Sequence, residues 1–366
     1  MSLSRRDVLK AGAAISVLAA FPSVPVHAAF APRPGTWRNF ELVTRVTIAE
    51  PTGFMQGWIP LPAFSDPIWF KPAGSTWETN AKTAEIVRDP KYDAEMLHVV
   101  WAEGENAPVV EIKSTFATQS RAVDLTKPTG PHTLSDAERA LYLAATELIP
   151  VDGIVKETSD RLTAGAKSDL DKAQLIYGWI VEATYRDPAT RGCGLGDVAS
   201  MLESGNLGGK CADLNALFVG LARAAGLPAR DIYGLRVAPS EFGYRSLGTK
   251  NEVVTKAQHC RAEVFLADFG WVPADPADVR KVILEEPPGN LPLTDDKVVQ
   301  ARSALFGSWE GNWLAYNTAH DIALPGSQAP KLGFLMYPQA EVRGMLLDCL
   351  DADTFTYAIT ARELAI

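Results

Sequence analysis

The sequence predicts an α+β protein with a helical middle and β structure on either side of it. Three observations carry that reading. Residues 38–48, RNFELVTRVTI, alternate apolar and polar side chains at the period of a half-buried strand. From about residue 135 to 230 the period becomes helical. Beyond 230 the chain returns to short apolar runs cut by Gly, Pro and Asp.

Residues 1–28 are set apart as a leader. SRRDVLK is followed by the apolar AGAAISVLAAF and the small-residue segment VPVHAAFA, the basic, apolar, cleavable order of an export signal. Arg5–Arg6 with Leu9 and Lys10 resembles a twin-arginine signal, with Val8 where Phe is commoner. The expectation is passage through the twin-arginine export machinery, cleavage after Ala28 or Ala31, and a periplasmic mature chain. A membrane anchor fits less well, because Pro22 and Pro25 break the apolar run. No stretch of the body is apolar for long enough to span a bilayer.

Residues 30–130 continue in pieces such as GFMQGWIPLP, MLHVVWAEG and VVEIKSTFAT, and read as an N-terminal β domain of sandwich type. After Ser135, Ala137, Leu141, Ala144 and Leu148 share a helical face that Pro150 ends. SDLDKAQLIYGWIVEATY puts Leu175, Ile176, Trp179, Ile180 and Ala183 on one face, with Ser168 as its cap. GDVASMLESG is a short helix capped by Asp197. In GGKCADLNALFVGLARAAGLPAR an apolar stripe runs from Leu214 to Ala225, and Gly226 and Pro228 end it. Residues 231–285 read as β, with HCRAEVFLADFGWVPADP as a hairpin. The expected core is 135–285, and 290–366 is a C-terminal β-rich extension.

Composition narrows the partners. The chain is 47% hydrophobic and 22% charged, with a formal net charge of −9 and no basic run, which disfavours nucleic acid and anionic lipid. The four cysteines, Cys193, Cys211, Cys260 and Cys349, show no CxxC spacing of a structural zinc site. Their even number admits a disulfide in an oxidising compartment.

Cys211 stands at the mouth of a helix, outside its apolar stripe. Unpaired first-turn amides carry partial positive charge and stabilise a thiolate there. Gly208 and Gly209 leave the approach to sulfur uncrowded, and the Cys211 N–H is placed to donate to a developing oxyanion. A buried, inert cysteine is the bland alternative. A thiol nucleophile needs a base. His98 falls in an alternating strand pattern and His132 in a Pro-Gly loop, which leaves His259 and His320. His259 opens one arm of the hairpin and Asp275 closes the other. They face each other if the turn centres on Ala267–Asp268, and lie diagonally if the register shifts. His320–Asp321 is the rival pair, but neighbours on a strand point to opposite faces.

The ordered set KAQLIYGWI, GCGLGDVASML, GKCADLNALFVGLARAAGLPAR and HCRAEVF…GWVPADP resembles the transglutaminase-like core of the papain-like superfamily, over about residues 170–281. The resemblance implies a core of helices and antiparallel sheet. It implies Cys211 as nucleophile, His259 as base and Asp275 as the orienting carboxylate. A second oxyanion donor is expected upstream, with Tyr185 the candidate and Trp179 assigned to the core. The sequence departs from the family pattern at Arg261, where an aromatic residue is common, and at Asn215, where His or Tyr is common. Both departures bear on substrate choice. WLAYNTAHDIALPG near the C-terminus is similar to bacterial exported members.

The activity implied is cysteine-dependent acyl transfer on an amide bond of a peptide or protein. Hydrolysis by a peptidase or amidase is favoured, since water is always present and no lysine-accepting site is recognisable. Protein cross-linking is the alternative outcome, and a catalytically silent binding module of the same fold is the rival of a different class. No metal or organic cofactor is implied. Calcium, used by some eukaryotic relatives, finds no ligand cluster in the sequence.

Overall fold

The computed structural model describes residues 29–351 and 355–365, so the leader and the cleavage position after Ala28 lie outside the described residues. The N-terminal strands form two antiparallel sheets. In one, Arg38–Ile48 lies between Val109–Thr118 and Phe355–Leu364, and Phe70–Thr79 flanks Val109–Thr118. In the other, Met55–Pro60 lies between Glu95–Trp101 and Gln339–Val342, with Thr83–Arg88 and Met345–Leu346 at the edges. Val46, Ile112 and Phe355 of the first sheet meet Leu97, Val99 and Trp101 of the second in one apolar core. The alternation read in residues 38–48 is the inward face of that sandwich. Residues from the C-terminal part of the chain thus supply strands to both of its sheets.

The second unit is an α+β core of helices and antiparallel sheet. Its antiparallel sheet runs Gly270–Ala274, Gln258–Leu266, Ala229–Arg236, Trp313–Asn317 in order. Helix Cys211–Ala224 packs on this sheet and against helices Gly153–Thr163 and Asp169–Ala183. Ser168 caps the last of these, its Oγ accepting from the Asp171 N–H at 3.0 Å. Asp197 likewise caps Val198–Ser204. Every residue of Cys211–Ala224 is buried, so its apolar stripe is only part of its contact surface. Arg223 is buried with the rest because its guanidinium donates to the carbonyls of Ala229 and Ala144.

Three elements differ from the sequence reading. The helix after Ser135 ends at Leu143, where Ala144 turns extended, and it buries Tyr142 rather than an Ala–Leu face. Residues 276–285, read as β, form the helix Pro276–Glu285. Asp275 caps it and Pro276 occupies the first turn, where a missing N–H costs nothing. A further helix, Asp296–Ala304, stands among the C-terminal loops and strands. Among the described residues, no helix is long and apolar enough to cross a membrane.

Candidate active site

The start of the Cys211 helix is built on Asp213. Its Oδ2 accepts from the Lys210 N–H at 2.9 Å, and its Oδ1 accepts from Leu195 and Gly196 N–H at 2.9 and 3.0 Å. These bonds fasten the preceding loops to the first turn. The glycines serve the fastening. A Cβ on Gly209 would lie 2.5 Å from Asp213 Cβ, and one on Gly194, at φ +94°, would lie 1.8 Å from Asp213 Oδ2. A Cβ on Gly208 would strike the Tyr185 ring at 2.3 Å. Gly208 and Gly209 therefore make room for Tyr185 and Asp213 rather than for an approach to sulfur. The Lys210 N–H is taken by Asp213, and the Ala212 N–H by the Cys193 carbonyl at 2.9 Å. That leaves the Cys211 N–H as a first-turn amide with no acceptor inside the helix.

Cys211 and His259 both line a cavity of about 450 Å³, although each is almost fully buried by its neighbours. His259 Nε2 lies 2.8 Å from Asp275 Oδ2 and 3.4 Å from Asp278 Oδ2, which leaves Nδ1 for the sulfur. The hairpin pairs Ala262 with Ala274, so a continued ladder would set Asp275 opposite Arg261. His259 and Asp275 are therefore diagonal. Asp275 reaches the ring because it leaves the strand as a helix cap, with φ −139° and ψ 72°. Its Oδ1 accepts from the Asp278 N–H at 3.0 Å and from Asn215 Nδ2 at 3.3 Å. Arg236 donates to both oxygens of Asp278.

Asp278 and Arg236 were missed by sequence reasoning. The ADPAD spacing, which puts a second carboxylate in the first turn beyond Asp275, was the available signal.

The electrostatics divide the thiols. Hydrogen bonds from Cys193 and Cys260 hold the Cys211 thiol well below its usual range, against burial and with help from His259. Cys193, which donates to Cys211 and is buried, is pushed well above it, and burial first does the same to Cys260. For His259, burial and Arg236 act downward, but Asp278 and Asp275 outweigh them and raise it to about 9. Asp278 stays well below the carboxylate range in spite of burial, because Arg236 and His259 face it. A thiolate beside an imidazolium is the state these charges favour at neutral pH.

His259, Asp275 and Asp278 also bring ligand-type atoms within 4.8 Å of one another. Arg236 already neutralises Asp278, and Nε2 is held by Asp275, so the trio is a hydrogen-bonded network rather than an open metal centre. All four cysteines are free thiols.

Other expected residues lie elsewhere. Tyr185 is 46% exposed, gives its hydroxyl to Asn206 Oδ1 at 2.8 Å and does not line the cavity. Its two-residue strand pairs with Gly208–Gly209, which turns the ring over Gly208. Tyr337, which no local pattern singled out, lines the cavity instead, as does Cys193, whose Sγ donates to the Gln258 carbonyl at 3.4 Å. Trp179 packs partly buried against the core. His320 is buried outside the cavity, and its nearest carboxylate is Asp231 at 3.7 Å. Asp321 faces the other way and accepts from the Glu147 N–H. Arg261 lies over the rings of Trp309 and Trp313 and donates to the Glu310 carbonyl at 3.0 Å. Neither Arg261 nor Asn215 lines the cavity.

The sequence model of the Transglutaminase-like superfamily matches residues 156–276, a span that includes Cys211, His259 and Asp275. An uncharacterized protein of Haemophilus influenzae is 36% identical over 324 residues, covering 84% of this chain and 86% of that protein. Among solved structures, a candidate cysteine protease from Cytophaga hutchinsonii matches with a TM-score of 0.57 at 12% identity, over 91% of this chain and 92% of that one. The periplasmic domain of TgpA from Pseudomonas aeruginosa gives a TM-score of 0.33 at 13% identity, over 67% of this chain and 88% of that one.

Proposed function

The chain belongs to the transglutaminase-like superfamily, and from that premise we propose that it is a cysteine-dependent hydrolase of amide bonds in peptides or proteins. One observation carries the reading: a thiol held toward thiolate shares a cavity with an imidazole whose far nitrogen is 2.8 Å from a buried carboxylate.

The Cys211 thiolate adds to the amide carbonyl carbon, and the oxygen takes up the charge beside the Cys211 N–H. His259 gives its proton to the nitrogen as the C–N bond breaks, so an amine leaves and a thioester remains on sulfur. Water then attacks the thioester while its proton passes to His259. The thiolate departs and an acid is released. Asp275 orients the ring throughout and favours its protonated form. The leader with Arg5–Arg6 supports a periplasmic site of action, reached by twin-arginine export.

Intact-protein mass after reaction with an activated ester tests this reading. Wild type gains one acyl group on Cys211 and loses it to water as free acid, and Cys211→Ala gains none. A thioester that resists water but passes to added amines points to cross-linking. No acylation across a broad panel points to a binding module.

A further inference from the structure

The cavity beside Cys211 is basic, although the chain as a whole is acidic. Arg186, Lys210, Arg236, Lys256 and Lys281 line it, and no Asp or Glu among the described residues does. The formal net charge of the whole chain is −9. Carboxylates just outside the lining offset part of this charge, and they include Asp213, two residues beyond Cys211, and Asp351, next to Leu350. Asp278 matches Arg236. Arg186 and Lys281 share one carboxylate, Glu285, which Lys281 meets at 3.5 Å. Lys210 gives its ammonium to the Thr190 carbonyl at 2.6 Å, and neither it nor Lys256 pairs with a carboxylate among the described residues. Asp348, next to the lining residue Cys349, is taken by Arg191 at 2.8 Å.

These cations bracket the proposed chemistry. Lys210 immediately precedes Cys211, Lys256 stands three residues before His259, and Arg186 is paired with Gly209 on the short parallel strand. The remaining wall is of different character, with Tyr337, Leu350, Phe355 and Tyr357. Cations set against a low-dielectric wall focus a positive potential into the space between. Burial, and then Arg236, push the Lys281 ammonium below its usual range, a cost that a bound anion would relieve.

We propose that the acyl donor is an acidic peptide, with a carboxylate close to the scissile amide and an apolar group against the aromatic wall. This names the substrate class of the hydrolase and rests on the acyl-transfer reading above. The electrostatic recognition adds no chemical step, because the donor carboxylate stays ionised and the amide reacts as already described.

The test uses two peptides that differ only by Glu or Gln beside the cleaved bond, with an uncharged activated ester as a separate probe of the thiol. The Glu peptide should have the higher kcat/KM, by at least about fivefold. The ratio should fall toward one as salt rises from about 0.01 to 1 M, and in Lys256→Gln, whose side chain is exposed. A ratio near one, or one that neither salt nor Lys256→Gln moves, overturns the acidic-donor assignment. Acylation by the uncharged ester then still upholds the acyl-transfer reading. If that ester also fails to acylate Cys211, the reading falls and this assignment falls with it.

Discussion

Asn215 Nδ2 lies 3.3 Å from Asp275 Oδ1 and 2.9 Å from the Cys260 carbonyl, so the helix that begins with the thiol also holds the carboxylate behind the imidazole. The same side chain accepts from the Ala277 N–H at 3.4 Å. One amide therefore ties the Cys211 helix to the His259 strand and to the cap of the next helix. Asn215→Ala should cost about 1–3 kcal/mol in urea unfolding, because it strands buried partners. It should also lower kcat by about tenfold with KM unchanged, through a misplaced ring. A loss of stability with kcat intact would make Asn215 a structural residue only.

His259→Ala should lower the rate of Cys211 acylation by about 10² to 10⁴. Asp275→Asn should lose much of the rate too, since the ring stays but its orientation and charge support go. His320→Ala should retain most of it, because His320 sits outside the cavity beside Asp231. Single-turnover acylation followed by mass spectrometry ranks the three. The opposite ranking of the two histidines would overturn the assignment of the base.

Alkylation of Cys211 should be nearly flat with pH through neutrality, where an ordinary thiol still gains reactivity, because its thiolate is favoured well below the usual range. Cys193→Ala removes the first of the two thiol donors and should shift the alkylation midpoint upward. His259 holds its proton more tightly in the folded chain, at about 9 against an ordinary 6.5. Its contribution to stability is therefore complete below about pH 6.5 and fades as pH rises through about 9. Urea midpoints should fall more between pH 6 and about 10 for wild type than for His259→Gln.

Residues 1–31 fused to a folded reporter should direct it through the twin-arginine route, and Arg5–Arg6 changed to Lys–Lys should block export. Unimpaired export of that variant in a cell-fractionation assay would indicate the general secretory route.

Helix caps are legible locally. Ser168 and Asp197 announced helices by their capping chemistry, and both accept the expected amides. The hairpin carrying His259 was legible from its alternation, but its register was not, since only the pairing of Ala262 with Ala274 makes Asp275 diagonal. The turn-like sequence Asp-Pro concealed a helix start, because the same two residues suit both. Tyr337, Phe355 and Tyr357 could not be placed at the cavity from their neighbours in the chain. Phe355 and Tyr357 are positioned by a ladder with Arg38–Ile48, whose partners are some three hundred residues apart. Arg261 and Asn215 looked like changes of specificity when set against the family pattern. Both lie behind the lining, and Arg261 is held there by the faces of Trp309 and Trp313.

That ladder has a consequence for biosynthesis. Phe355 and Tyr357 line the cavity from a strand, Phe355–Leu364, whose partner Arg38–Ile48 is made some three hundred residues earlier. Cys211, His259 and Asp275 are all translated before Phe355–Leu364. An interrupted polypeptide that stops after Asp275 carries Cys211 and His259 but not Tyr337, Phe355 or Tyr357. The aromatic side of the cavity is therefore complete only when Phe355–Leu364 has paired with Arg38–Ile48, so a chain cut short before Phe355 lacks it whatever the state of Cys211 and His259.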